Sequence, residues 1–107
     1  MIPSSVRILV CTQPQDMRKS FDGLALAAQQ VLGEDPQSGV LLVFVNKRRT
    51  HLKVLWWDQN GFCLLYKRLH RALFVLPSGD GKTSSVEING NRLALILAGV
   101  EKRRNRR

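Results

Sequence analysis

Residues 51–68 read HLKVLWWDQNGFCLLYKR, and this stretch decides the fold. Two apolar runs, each long enough for a strand, flank the tetrapeptide DQNG at 58–61. Asn and Gly tolerate the positive φ that a tight turn between antiparallel strands requires. The stretch therefore predicts a β-hairpin whose turn is centred between Gln59 and Asn60.

The position of this turn fixes which hairpin residues lie opposite each other. Trp57 is predicted to pair with Phe62, and Lys53 with Tyr66. The other predicted pairs are Leu55 with Leu64, Val54 with Leu65, and Trp56 with Cys63. Both faces of the sheet are then apolar. One helix covers only one face, so the other needs a second helix, the first strand or a partner protein.

Strands and a helix are also predicted on the N-terminal side of the hairpin. VLLVFV at 40–45 predicts a strand that extends the hairpin into an antiparallel meander, and VRILVCT at 6–12 predicts a short buried strand. A helix is predicted from Ser20, as its N-cap, to Gly33, because apolar residues recur there at helical spacing.

The C-terminal region predicts a short strand, a second helix and a tail. SVEI at 85–88 is the strand, and the helix follows with Asn89 or Asn91 as its cap. The tail EKRRNRR at 101–107 is predicted to be disordered. The 107 residues suit one domain. The predicted fold is a small α/β (α+β) domain over residues 1–100, with a central antiparallel β-meander, two helices and a basic C-terminal tail.

The chain is strongly basic, with a formal net charge of +9 at pH 7. The tail explains only part of this charge, since it holds five bases and one acid. A charge of this sign attracts polyanions such as nucleic acid. The longest apolar run, VLLVFV, is far shorter than the roughly 20 residues of a membrane span, and the N-terminus lacks a signal-peptide pattern. A cytoplasmic protein without a membrane partner is therefore expected.

Two basic stretches are predicted to form one patch. The chain reverses direction at both ends of the strand that begins near His51, so the loop at 47–49 and residues 67–71 reach the same end of the sheet. Basic residues interleaved with aromatics such as Tyr66 can grip phosphates and stack bases, whereas the two tryptophans are expected mainly in the core. The predicted nucleic-acid-binding residues are Arg18, Lys19, Lys47, Arg48, Arg49, Lys53, Lys67, Arg68 and Arg71, with His51 and His70 between the two stretches.

Catalytic sites have weaker support in the sequence. Residues 81–83, Gly-Lys-Thr, resemble the end of a P-loop, but the motif needs a glycine where Leu76 stands, and a helix where a strand is predicted. A nuclease that binds two metal ions needs about three convergent carboxylates. The only carboxylates considered as such a metal-binding set are those of Asp16, Asp22 and Asp58.

The histidines and cysteines do not form a convincing metal site either. His51, His70 and Cys63 lack the closely spaced pair of ligands that zinc sites use. Cys11 and Cys63 are expected to be buried thiols. A disulfide between them is possible only if their strands are neighbours. No enzyme, metal site or cofactor is predicted.

Three motifs carry a resemblance to a known family. They are DMRKSFDGL at 16–24, DPQSG at 35–39 and VFVNKRRTHLKVLWWDQNGFCLLYKRL at 43–69. In this order and spacing they resemble the TnpB-type accessory protein of the insertion-sequence sixty-six transposon family, encoded by its second reading frame. The resemblance extends from Ile2 to about Val100. The matching positions are Asp16, Met17, Arg18, Lys19, Phe21, Asp22, Gly23, Leu24, Asp35, Pro36, Ser38, Gly39, Phe44, Lys53, Trp57, Asp58, Gly61, Lys67, Arg68 and Leu69.

The chain departs from the family pattern at two positions. Ser20 stands where glycine is common, and serine is a sound helix cap. His70 stands where glutamate is usual, which removes an acid beside the basic patch. The start of the helix does not require Asp16, Arg18 or Lys19. We therefore predict that these three residues form a contact surface for the DNA backbone or for the transposase.

The resemblance implies a small bacterial protein needed for efficient transposition beside a larger, catalytic transposase. The leading prediction is a non-catalytic accessory protein that binds the DNA of the transposon ends. One alternative is an interaction module that docks on the transposase through the apolar second face of the sheet. The other alternative is a metal-dependent nuclease that uses Asp16 and Asp58. A homodimer is also left open.

Overall fold

The computed structural model describes residues 5–102 and contains one mixed five-stranded sheet with a helix on each face. The strand order in the sheet is β4-β3-β2-β1-β6, and β5 pairs with β7 in a separate two-stranded ribbon. The elements are β1 (Ile8–Cys11), α1 (Phe21–Gln30), β2 (Leu41–Val45), β3 (His51–Asp58), β4 (Gly61–Arg68), β5 (Ala72–Leu73), β6 (Ser85–Ile88), α2 (Gly90–Ala98) and β7 (Val100–Glu101).

The predicted meander and its register are confirmed. β2, β3 and β4 are antiparallel neighbours, and all predicted pairs of the hairpin are present, including Lys53 with Tyr66 and Trp57 with Phe62. The pairing of the first strand with β2 was not predicted from the sequence. β1 pairs with β2 in parallel, because α1 carries the chain back to the starting end of β1 before β2 begins. β6 then adds antiparallel to the free side of β1.

Helix α1 covers one face of the sheet. It begins at Phe21 as predicted, with Asp22 in its first turn, but the Ser20 side chain makes no capping hydrogen bond. The helix ends at Gln30, three residues earlier than predicted, and Gly33 lies just beyond it with φ of 65°. The buried residues between this helix and the sheet are Leu9, Cys11, Leu24, Ala27, Ala28, Val40, Leu42, Phe44 and Leu55.

Helix α2 covers much of the second face. Its cap is Asn89, whose side chain accepts a hydrogen bond from the Arg92 backbone N–H. The face predicted to dock on a transposase is therefore largely occupied by the chain's own helix, which corrects that hypothesis in part. The buried residues on this side are Ile8, Val10, Val43, Val45, Leu52, Val54, Phe74, Leu93 and Ile96. Neither helix in the described range has the length and apolar character that a membrane span requires.

The end of α2 differs from the predicted start of the tail. Val100, predicted on the apolar face of the helix, is exposed and belongs to β7, and Glu101, predicted in the disordered tail, pairs with Ala72. The rest of that predicted tail, residues 103–107, lies outside the described residues.

Gly99 makes the connection from α2 to β7 and cannot easily be replaced. Its φ of 74° and ψ of 171° lie in a region that is almost exclusive to glycine, and a Cβ atom there would lie 2.6 Å from Leu69 Cδ1. Gly99→Ala is expected to lower the free energy of unfolding by about 2 kcal/mol. Gly90→Ala is the matched control in urea unfolding, because its Cβ would meet no atom within 4 Å. Equal stability of the two variants would contradict the prediction.

Candidate nucleic-acid interface

One end of the sheet collects the basic loops, and we call it the basic end. The parallel strands β1 and β2 both finish there, β3 starts there and β4 finishes there. Ligands of sheets with parallel strands bind at the carboxyl ends of those strands. Four loops therefore meet at the basic end: residues 12–20, residues 46–50, residues 69–71 and the end of the loop that leads into β6 at Ser85.

Charge is divided between the two ends of the sheet. The acids at the opposite end include Glu34 and Asp58, and the nearby Arg7 pairs with Glu34 at 3.5 Å and with Glu87 at 3.4 Å. The basic end holds cations in far larger number, which gives the molecule a positive pole. The Lys and Arg residues in its loops and strand ends are Arg18, Lys19, Lys47, Arg48, Arg49, Lys67, Arg68, Arg71 and Lys82.

The loop at 46–50 is held in one conformation by Asn46. The Asn46 Oδ1 atom accepts hydrogen bonds from the backbone N–H groups of Thr50 at 2.9 Å and His51 at 3.0 Å. Its Nδ2 atom donates to Thr50 Oγ1 at 3.1 Å. Arg49 takes a positive φ of 62°, and its carbonyl accepts a hydrogen bond from Phe74 N–H. Lys47 and Arg48 therefore project from a turn whose backbone is already ordered.

Lys53 lies inside the protein, which corrects its predicted place on the binding surface. Its residue is only 6% exposed, and its Nζ donates to the carbonyl oxygens of Met17 at 2.7 Å and Lys19 at 2.6 Å. The ammonium also lies 4.6 Å from the centre of the Tyr66 ring. Lys53 thus ties strand β3 to the loop that leads into α1.

Gln15 is a second anchor of the same loop. Its backbone N–H donates to the Val45 carbonyl at 3.0 Å, and its buried side chain accepts a hydrogen bond from Lys19 Nζ at 2.8 Å. Lys19 is therefore partly engaged within the protein. The loop at 15–19 is fixed to both β2 and β3, so the motif DMRKSFDGL holds a defined position beside the basic turn.

Asp16 and Arg18 form an ion pair at the surface of this loop. The Arg18 guanidinium donates to both carboxylate oxygens, with the shortest distance 2.6 Å from Nη2 to Oδ2, and the Arg18 backbone N–H donates to Oδ1 at 2.8 Å. The hydrogen bonds from the Arg18 side chain and backbone lower the pKa of Asp16 to about 2. Asp16 is therefore ionised at neutral pH. The Arg18 side chain remains 92% exposed.

An open cleft of about 610 Å³ lies between the two loops. Residues 14–18 form one wall, and the turn at 46–48 forms the other. His51 and Tyr66 complete the lining. The cleft therefore combines three exposed cations, Arg18, Lys47 and Arg48, with the ring of a tyrosine. An anionic group next to a planar group is the chemistry that this arrangement suits.

The other predicted cations lie around this cleft or on the second face. Arg68 pairs with His51 across β3 and β4, on the same face as Tyr66. Arg71 lies in the exposed turn after β4. Lys67 points to the α2 side and donates to the Leu97 carbonyl at 2.6 Å, so it caps the end of α2. The basic stretches at 47–49 and 67–71 do meet, since Leu69 N–H bonds to the Thr50 carbonyl.

The geometry gives no support to a metal site in residues 5–102, where no group of three potential metal ligands occurs. Asp58 is seven residues along β3 from His51, a separation of roughly 23 Å at the usual strand rise. Asp16, which lines the His51 cleft, and Asp58 are therefore too far apart to share a cation. Cys63 is far from His51 for the same reason.

The cysteines and the glycine-rich loop have structural explanations. Cys11 and Cys63 are free thiols on strands separated by two others; Cys11 is buried, and Cys63 is only partly buried. Burial raises the pKa of the Cys11 thiol, which makes it a poor nucleophile. Asp80 Oδ1 accepts hydrogen bonds from the backbone N–H groups of Lys82 and Thr83, and strand β6 follows, so the P-loop likeness is local only.

Two residues that build the interface, Gln15 and Asn46, were not predicted from the sequence, and Lys53 was predicted on the surface although it is buried. One signal for Lys53 was available, because it shares a strand face with Leu55 in the predicted register. The predicted partner, Tyr66, lies on that same inward side. Nothing local in the sequence pointed to the side-chain bonds of Gln15 or Asn46.

Comparison with known proteins gives a consistent result. The family model described as IS66 Orf2 like protein matches residues 6–107. A protein of Sinorhizobium fredii (strain NBRC 101917 / NGR234), named uncharacterized protein y4hO, is 41% identical over 103 residues, covering 94% of this chain and 88% of that protein. Uncharacterized protein y4jC of the same strain is 32% identical over 96 residues, with 90% and 80% covered. No solved structure matches the chain.

The family match spans all three motifs on which the resemblance was based. It also includes both loops of the cleft and the anchor Lys53. Membership supports an accessory role in transposition and identifies no enzymatic activity. The chain belongs to the IS66 Orf2-like protein family.

Proposed function

We propose that this protein is a non-catalytic accessory factor of transposition that binds the backbone phosphates of DNA at the basic end of the sheet. The observation that carries the proposal is the convergence of Arg18 with Lys47 and Arg48 around one cleft. These residues come from separate sequence motifs, and each loop has its own anchor, the buried Lys53 for one and the partly buried Asn46 for the other. Preordered cations lose less conformational entropy on binding than flexible ones.

The decisive measurement is the affinity of the pure protein for duplex DNA over a series of salt concentrations. Each phosphate that a cation neutralises contributes about −0.9 to the slope of log affinity against log salt. The two unpaired cations of the cleft, Lys47 and Arg48, predict a slope of about −2 or steeper, since Arg18 is paired with Asp16. Comparing DNA from the element end with random sequence tests specificity separately. A slope near zero, or no binding at low salt, would overturn the proposal.

Asp16→Asn is expected to strengthen DNA binding by up to about eight-fold at 0.1 M salt, because it frees Arg18 for one more phosphate. Asparagine retains an oxygen for the Arg18 backbone N–H, so the loop keeps its turn. Asp80→Asn is the matched control, since it removes the same charge from another exposed Asp-stabilised turn. The nuclease alternative predicts instead that Asp16→Asn abolishes a magnesium- or manganese-dependent cleavage.

Docking on the transposase is the second candidate function, and a remaining apolar cleft favours it. Helix α2 leaves part of the second face uncovered, and a cleft of about 520 Å³ lies there between α2 and the β3–β4 hairpin. Its lining includes Leu41, Trp56, Leu65 and Leu97. Binding through this surface would depend weakly on salt, in contrast to phosphate binding.

A further inference from the structure

We propose that the cleft at the basic end takes one unpaired nucleotide, whose base stacks on Tyr66 while the flanking phosphates contact Lys47 and Arg48. This inference rests on the proposed function, because it names the part of the nucleic acid that the same surface recognises. The ligand class is a single strand, an overhang or an extruded base.

The open cleft is large enough for one nucleotide. Its volume of about 610 Å³ lies within the range of roughly 300–1,000 Å³ that is usual for sites of small ligands. The walls at 14–18 and 46–48 stand on either side of the lining residues His51 and Tyr66. An intact duplex keeps its bases stacked inside, so only its phosphates could reach the rim of such a cleft.

Tyr66 has the properties of a stacking platform. The residue is 54% exposed although it lies on the same sheet face as the buried Leu55. The Lys53 ammonium lies 4.6 Å from the ring centre, and a single cation covers only one face of a ring. The ammonium covers one face of the Tyr66 ring only, so the opposite face is the one on which a base would stack. The His51 ring lies 6.0 Å away at a 40° tilt and limits how the tyrosine can turn.

The buried cation also changes the chemistry of the ring. An aromatic face is electron-rich, and an ammonium on one side draws electron density towards itself. The exposed face of Tyr66 then becomes less negative, which reduces its repulsion of the electron-rich face of a nucleobase. Lys53 thus fixes the platform and adds positive potential beneath the cleft. No carboxylate pairs with the Lys53 ammonium among its described contacts, since both of its acceptors are backbone carbonyls.

The test compares single-stranded and duplex DNA with two variants at one position. Tyr66→Leu keeps an apolar side chain over Lys53 but removes the aromatic face, and Tyr66→Phe keeps that face. With an oligothymidine of about 15 nucleotides, Tyr66→Leu is expected to lower affinity about ten-fold, whereas Tyr66→Phe retains it. Affinity for a duplex of the same length is expected to stay within about two-fold of wild type in both variants.

The outcomes separate this inference from the proposed function. The inference fails if Tyr66→Leu binds the single strand with wild-type affinity. It also fails if the affinities for single strand and duplex fall equally while the unfolding transition is unchanged. Salt-steep duplex binding by the wild type would still stand in that case. If the wild type binds neither nucleic acid, both fail. Oligouridine compared with oligodeoxyuridine of the same length shows whether the sugar matters, and a loss with any of these oligonucleotides that spares the duplex supports the inference.

Discussion

Lys53→Met is expected to lower the free energy of unfolding by about 3 kcal/mol and to detach the loop at 15–19 from the sheet. Methionine matches the length of the lysine stem but donates no hydrogen bond. The Met17 and Lys19 carbonyl oxygens, which accept from Lys53 Nζ at 2.7 and 2.6 Å, would lose that donor. Urea unfolding measures the stability, and amide hydrogen exchange at 15–19 measures the release of the loop.

Two opposing effects decide the sign of this change. Removing a buried charge relieves its desolvation cost, and replacing both members of a buried ion pair by apolar residues is often neutral. Here only the donor is replaced, while both acceptors are backbone groups that remain in place. An acceptor that water does not reach costs about 1–3 kcal/mol when it loses its donor, and both of these hydrogen bonds are partly buried. The unsatisfied carbonyls therefore outweigh the relief, and the variant is destabilised.

Lys82→Met is the matched control for this experiment. Lys82 lies in the exposed loop before β6, so the same substitution is expected to change stability by less than about 0.5 kcal/mol. Arg18 should also lose its fixed position in Lys53→Met, so DNA affinity falls further in that variant than in Lys82→Met, which removes the same charge. Wild-type stability together with wild-type amide protection at 15–19 would show that Lys53 does not anchor the loop.

The sequence predicted the parts of the fold that depend on local chemistry. The turn at 58–61 set the hairpin register, so every predicted pair is present. The parallel pairing of β1 with β2 was missed, because it depends on where α1 returns the chain rather than on any turn residue. The ribbon of β5 and β7 was missed for a similar reason: each strand has two residues and no periodicity of its own.

The candidate interface was predictable only in part. The meeting of the basic stretches at 47–49 and 67–71 followed from two chain reversals, which sequence patterns can predict. The approach of the 14–18 loop to the same place depends on the long-range bonds of Gln15 and Lys53, which they cannot. The charge of Lys53 favours the surface, whereas its position on β3 directs it inward with Leu55. A buried lysine needs acceptors, and those acceptors come from a loop more than thirty residues away.

The exchange of Lys47 and Arg48 together for glutamine is expected to weaken duplex binding by about 60-fold at 0.1 M salt. Each cation that no longer neutralises a phosphate removes about 0.9 from the salt slope, so the pair removes about 1.8. If affinities converge near 1 M salt, this slope difference corresponds to about 60-fold at one-tenth of that concentration. Both side chains are exposed on a turn held by Asn46, so the fold should be unaffected. Fluorescence anisotropy across the salt series gives both quantities.

Arg7→Gln with Arg92→Gln is the matched control, because it removes the same net charge from the opposite end of the sheet. Arg7 precedes β1, and Arg92 lies in the first turn of α2, next to the end of β6. A general attraction between a basic protein and DNA would lower affinity equally in both double variants. A site at the basic end would lower it, and flatten the salt slope, only when Lys47 and Arg48 are changed. Equal losses of affinity in the two double variants would therefore assign the binding to net charge alone and would show that the cleft is not the interface.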